Sequence, residues 1–123
     1  MGWFTRNTQQ TLPWKQLTSE EEMDHAIAQS HEKPVVFFKH STRCSISSMA
    51  LNGFESGWDH HENAALYFLD LLQYPSVSGQ MAEKLNVRHE SPQVIVLKNG
   101  KVVHHSSHNG IQAGTVKKAV QKG

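Results

Sequence analysis

Cys44 is the only cysteine among the 123 residues of this chain, and it lies in the string Thr42-Arg43-Cys44-Ser45-Ile46-Ser47. A thiol followed three residues later by a serine, C-x-x-S, reads as a redox site in which a hydroxyl stands where a second thiol would be. Such a site cannot close an internal disulfide, so its sulfur chemistry must involve another molecule. Only the thiolate attacks, and an unperturbed cysteine ionises near pH ~8.5. Bringing that value to ~6–7 takes ~2–3.4 kcal/mol of differential stabilisation of the anion. A helix N-terminus supplies about 0.3–1 kcal/mol and at most about 2. Further donors are therefore needed.

The neighbouring residues offer them. Ser47 shares a helix face with Cys44, and its hydroxyl can donate to sulfur. The backbone N–H groups of Ser45 to Ser47 are the unsatisfied donors of a first helical turn. Arg43 brings a permanent charge one residue away, and Thr42 a hydroxyl just before it. His40 could add charge or shuttle a proton. The competing reading of Cys44 is a small, inert, buried residue. The polar flanks Thr42, Arg43, Ser45 and Ser47 argue against it.

These residues need a strand to carry them in and a helix to carry them out. Val35 to Lys39 is a continuous apolar run, as expected of a strand covered on both faces. Ile46, Met49, Ala50, Leu51 and Phe54 have helical spacing, in a helix ending near Gly53 or Gly57. Upstream, residues 1–13 read as a mobile lead-in and Trp14 to Leu17 as a short edge strand. Thr18 or Ser19 then caps a helix with Glu20, Glu21 and Glu22 in its first turn, ending near His31. Downstream, Ala64 to Leu72 is a second buried-strand candidate, and Ser76 or Ser78 opens a helix through Met81, Ala82 and Leu85. Gln93 to Leu97 and Lys101 to His104 flank Asn99-Gly100, a strong hairpin signal. A last helix uses Ile111, Val116, Ala119 and Val120. The order is β-α-β-α-β-α-β-β-α, in a single domain over residues 14–123.

This order, with the thiol opening the second helix, resembles the thioredoxin fold: an α/β fold with a central mixed four- to five-stranded sheet and helices on both faces. In that fold a cis-proline precedes the penultimate strand and faces the active cysteine, which implies a cis bond at Ser91-Pro92. The string around Cys44 is similar to that of the YtxJ-like monothiol bacilliredoxins, which carry Thr-Cys-Pro-Ile-Ser or close variants. Cys44, Ile46 and Ser47 match; Ser45 replaces the proline, and Arg43 intervenes after Thr42. The resemblance implies a bacillithiol-system redox protein of the stress response that removes bacillithiol from mixed disulfides on protein cysteines. Cys44 would be the catalytic residue, with Ser91, Pro92 and Ile46 as substrate contacts. No cofactor is bound, and a low-molecular-weight thiol, bacillithiol, serves as co-substrate. The expected partners are S-thiolated client proteins, met by a monomer.

Composition agrees with a globular protein, with 37% hydrophobic and 19% charged residues. A net charge of +1 gives no field to attract nucleic acid. No apolar run resembles a signal peptide or a membrane span, and one unpaired cysteine suits a reducing cytoplasm. The nine histidines include His60-His61, His104-His105 and His108. They match no metal motif, and no metal site is expected. Two alternatives remain at this stage. One is a glutaredoxin-like monothiol protein holding an iron–sulfur cluster with glutathione, although its usual Cys-Gly-Phe-Ser is not present. The other is a non-catalytic thioredoxin-fold adaptor.

Overall fold

The computed structural model describes residues 12–58 and 63–121. Residues 1–11, and with them most of the expected lead-in, lie outside the described residues, as do His60 and His61. Leu12, assigned by its position to that lead-in, is only 5% exposed and packs in the core.

Five strands and four helices alternate as expected: β1 (Lys15–Gln16), α1 (Glu20–Gln29), β2 (Val35–His40), α2 (Ser45–Gly57), β3 (Ala65–Asp70), α3 (Pro75–Leu85), β4 (Gln93–Lys98), β5 (Lys101–Ser107) and α4 (Ala113–Gln121). The sheet order is β1-β3-β2-β4-β5. β1 and β2 run parallel to β3, while β4 is antiparallel to both β2 and β5.

β2 lies at the centre, and every one of its residues is buried. Its side chains alternate between two cores, which is why its sequence shows no polar alternation. Val36 and Phe38 pack with Leu51, Phe54, Val116 and Val120, beneath α2 and α4. Val35 and Phe37 pack with Met23, Ala26, Val77 and Met81, beneath α1 and α3.

The helix and hairpin ends follow local chemistry. Ser19 caps α1 by accepting from the Glu22 N–H at 3.1 Å. The Thr18 hydroxyl and N–H both donate to the Glu22 carboxylate at 2.7 Å. Asn99 and Gly100 adopt φ of 56° and 76°, the left-handed values that a two-residue hairpin requires. Their N–H groups donate to the Ser30 carbonyl at 2.7 Å and the Ser30 hydroxyl at 2.8 Å, tying the hairpin to the end of α1.

Two boundaries differ from expectation. α3 opens at Pro75 rather than at Ser76 or Ser78, because proline at the first helical position loses no needed N–H. β5 continues past His104 to Ser107, since an edge strand keeps pairing with β4 whatever its polarity. No helix among the described residues is long and apolar enough to cross a membrane.

Candidate functional site

β2 ends at His40, and its partners there decide what lies around Cys44. The His40 carbonyl accepts from the Leu71 N–H at 3.1 Å, so β2 and β3 stay paired to the last residue. Ser41 begins a tight turn in which the Cys44 N–H donates to the Ser41 carbonyl at 3.1 Å. Cys44 then takes the N-cap position of α2 with extended φ and ψ of −106° and 120°, and its carbonyl accepts from Ser48 N–H at 3.0 Å. The thiol is partly buried and free. No side-chain capping bond is made at this helix end. The N-terminal end of a helix favours an anion near its first-turn N–H groups.

Ser47, the third residue of the helix, is fully buried. Its Oγ lies 2.6 Å from His40 Nδ1 and accepts from the Ser41 N–H at 3.1 Å. The hydroxyl expected to serve sulfur is therefore bonded to the end of β2. His40 is itself fully buried, with its ring 5.4 Å from that of Phe68 and 6.5 Å from that of Phe38. Burial lowers its pKa, against an opposing pull from Asp70, its β3 register partner. His40 Nε2 has no hydrogen-bond partner among the described residues.

Ser91-Pro92 is a cis peptide, as the resemblance implied, and it directly precedes β4. The Pro92 carbonyl accepts from the His108 N–H at 3.0 Å. Lys39 pairs with Gln93, so continuing the antiparallel register by one residue sets His40 opposite Pro92. Ser91 Oγ is buried without a partner among the described residues. The C-terminal end of β2, the start of α2 and the turn before β4 therefore meet at one end of the sheet's central strands.

Two shallow cavities are lined by residues that precede and follow Cys44 in the chain. One, of about 420 Å³, is lined by Thr42, Arg43, Asp70, Leu72 and Gln73. It carries a cation and a carboxylate. The other, of about 310 Å³, is lined by Ile46, Met49, Ala50, Gly53, His108, Asn109 and Ile111. There Ile46 is 57% and Met49 72% exposed, an unusual degree for side chains of this size.

Sequence reasoning missed Lys39. It points to the opposite face from His40 and is completely buried. Its Nζ donates to His89 Nδ1 at 2.8 Å. Burial pulls its pKa down to about 8, with Glu90 pulling the other way. The only local signal was a lysine at the end of an otherwise apolar strand.

The model of the monothiol bacilliredoxin BrxC family matches residues 15–116, from β1 into α4. This chain belongs to that family. A solved candidate oxidoreductase with a thioredoxin fold is 31% identical, with a TM-score of 0.74 over 85% of this chain and 90% of that one. Thioredoxin from Malassezia sympodialis is 19% identical, with a TM-score of 0.65 over 89% of each chain. Thioredoxin from Fasciola hepatica is 16% identical, with a TM-score of 0.66 over 88% of this chain and 97% of that one. The architecture is thus thioredoxin-like, and a bacilliredoxin with one cysteine is a thiol-redox protein. Cys44, at the start of α2, is the only thiol in the chain.

Proposed function

We propose that this bacilliredoxin removes bacillithiol from mixed disulfides on protein cysteines, with Cys44 as nucleophile. The observation that carries the reading is one partly buried thiol at the uncapped start of α2, in a chain of a monothiol bacilliredoxin family. The Cys44 thiolate attacks the bacillithiol sulfur of the mixed disulfide. A new Cys44–bacillithiol disulfide forms, the old bond breaks, and the client cysteine leaves as a thiolate that takes a proton from water. A second bacillithiol thiolate then attacks the adduct. It restores the Cys44 thiolate and departs as the symmetric disulfide. No electrons are supplied from outside these thiols, and no bound cofactor is needed.

The two cavities support a division of labour around the sulfur. Arg43 and Asp70 offer a cation and an anion to the carboxylates and amine of a small thiol. Ile46 and Met49 offer apolar surface to a client protein. Ser91 and Pro92 add an edge on which an extended client segment can lie. The protein works as a monomer in a reducing cytoplasm, where its thiol stays free.

Incubating the protein with a bacillithiolated client and weighing it by intact mass spectrometry tests this. One bacillithiol adduct on Cys44, with release of reduced client, is expected. An unmodified Cys44 beside an unchanged client would overturn it.

A further inference from the structure

Lys39 is a charged residue in a place where packing would take an apolar one. Its side chain follows Val35 and Phe37 on the face of β2 covered by α1 and α3, away from α2. It is completely buried, and an ammonium in such surroundings carries a desolvation cost. With a pKa of about 8, it is still charged at neutral pH. Its Nζ donates to His89 Nδ1 at 2.8 Å, a charge-assisted bond that leaves the imidazole proton on Nε2. Ser78 Oγ, on α3, lies 3.3 Å from the same nitrogen. His89 itself is exposed. The buried amine thus holds a ring that stands at the surface.

That ring belongs to the segment Arg88-His89-Glu90-Ser91-Pro92, which leads into β4 through the cis peptide. Different bonds set the shape of the segment and its position. The buried Gln93 side chain closes it on itself: Nε2 donates to the Arg88 carbonyl at 3.0 Å, and Oε1 accepts from the Glu90 N–H at 3.4 Å. The Pro92 carbonyl, accepting from the His108 N–H, ties its end to the chain just beyond β5. The bonds at His89 tie its outer arm to β2 and α3, and so fix where that arm stands against the sheet.

We propose that Lys39 is a positioning residue: through His89 it holds the segment from Arg88 to Pro92 where a client's extended chain can lie along Ser91 and Pro92, and so sets affinity for protein clients without acting on the sulfur chemistry. This rests on the exchange reading of Cys44. Continuing the β2–β4 register places Pro92 opposite His40, and His40 is bonded to Ser47 in the first turn of α2. A shift of the segment therefore moves the client edge relative to the helix that begins at Cys44. Lys39 lies on the other face of the sheet and touches neither sulfur nor client. A small disulfide needs no such edge, so its reaction with Cys44 is indifferent to Lys39.

The full chain tests this with two substrates, a bacillithiolated protein client and the symmetric bacillithiol disulfide. In Lys39→Met, KM for the client should rise about ten-fold with kcat kept, the scale of a lost hydrogen bond to a charged group. The rate of Cys44 adduct formation with the small disulfide, read by intact mass, should stay at the wild-type value. The urea midpoint at pH ~7 should be no lower than that of the wild type, because methionine removes a buried charge. His89→Ala should reproduce the rise in KM. His89→Asn, whose Oδ1 takes the place of Nδ1 as acceptor, should reverse most of it. An unchanged client KM in Lys39→Met and His89→Ala overturns the inference, as do equal losses with the two substrates, or an asparagine that restores nothing. His89 is exposed, so the alanine and asparagine variants keep the test if Lys39→Met fails to fold. A wild type that forms no Cys44 adduct with either disulfide overturns the exchange reading, and this inference with it. Normal wild-type exchange with an unmoved client KM in the variants rejects the role of Lys39 alone.

Discussion

Lys39 is held in an environment that disfavours its charge, and its pH dependence follows from that. The ammonium is completely buried, with His89 Nδ1 at 2.8 Å as acceptor and Ser78 Oγ 3.3 Å from the same nitrogen. Its pKa in the folded protein is about 8, against a usual value of 10.5. The unfolded chain binds this proton more tightly, so between these two values it holds more protons than the folded chain. Stability from this group is therefore lowest at neutral pH and rises as pH climbs through that window. The full difference is on the order of 3 kcal/mol. Urea midpoints of the wild type should rise relative to those of Lys39→Met as pH goes from about 8 to 10. A constant gap between the two proteins would show that Lys39 ionises as it does in water. None of this was legible in Val35-Val36-Phe37-Phe38-Lys39-His40, because the acceptor lies 50 residues away. The same holds for Ser47. Its position beside Cys44 follows from helical spacing, but the direction of its hydroxyl is decided by His40, seven residues back across a turn.

At the scale of the element, α2 departs from the usual capping chemistry at its start. Serine, threonine, aspartate or asparagine is preferred at an N-cap, and Ser19 fills that place in α1. α2 has Cys44 there instead, with no capping bond. Cys44→Ser gives the extended N-cap a hydroxyl that accepts from the N–H of the second or third helical residue. The variant should be more stable than the wild type by about 0.5–1 kcal/mol, read as a higher thermal midpoint, while losing all exchange. A lower midpoint would mean that the sulfur itself contributes to the cap. The strands and helices were mostly legible because their signals are local: the continuous apolar run of β2, the acidic first turn of α1 and the Asn99-Gly100 turn. The start of α3 was misplaced because serines were weighed as caps, while Pro75 already fixes φ for the first helical position. The end of β5 was missed because His104 to Ser107 carries no strand pattern of its own. Pairing with Gln93 to Val96 holds it extended.

At the scale of the molecule, the titration of the histidines ties stability to pH. His40, His89 and His104 all have pKa values lowered, in each case chiefly by burial. Lys39 lowers His89 further, and His105 does the same to His104. In the unfolded chain each takes up a proton near pH ~6.5. In the folded chain each stays neutral to lower pH. Below that point the unfolded state binds more protons, so stability falls as pH falls. Glu22, whose carboxylate pKa is lowered chiefly by the Thr18 N–H, adds a further loss at more acid pH, as it protonates. Urea midpoints should therefore drop between about pH 7.5 and 5.5, with protons taken up on unfolding, and His40→Phe should show a shallower drop if it folds. A flat profile over that range would mean that the three rings titrate alike in both states. The cost of a neutral buried His40 is thus paid in acid.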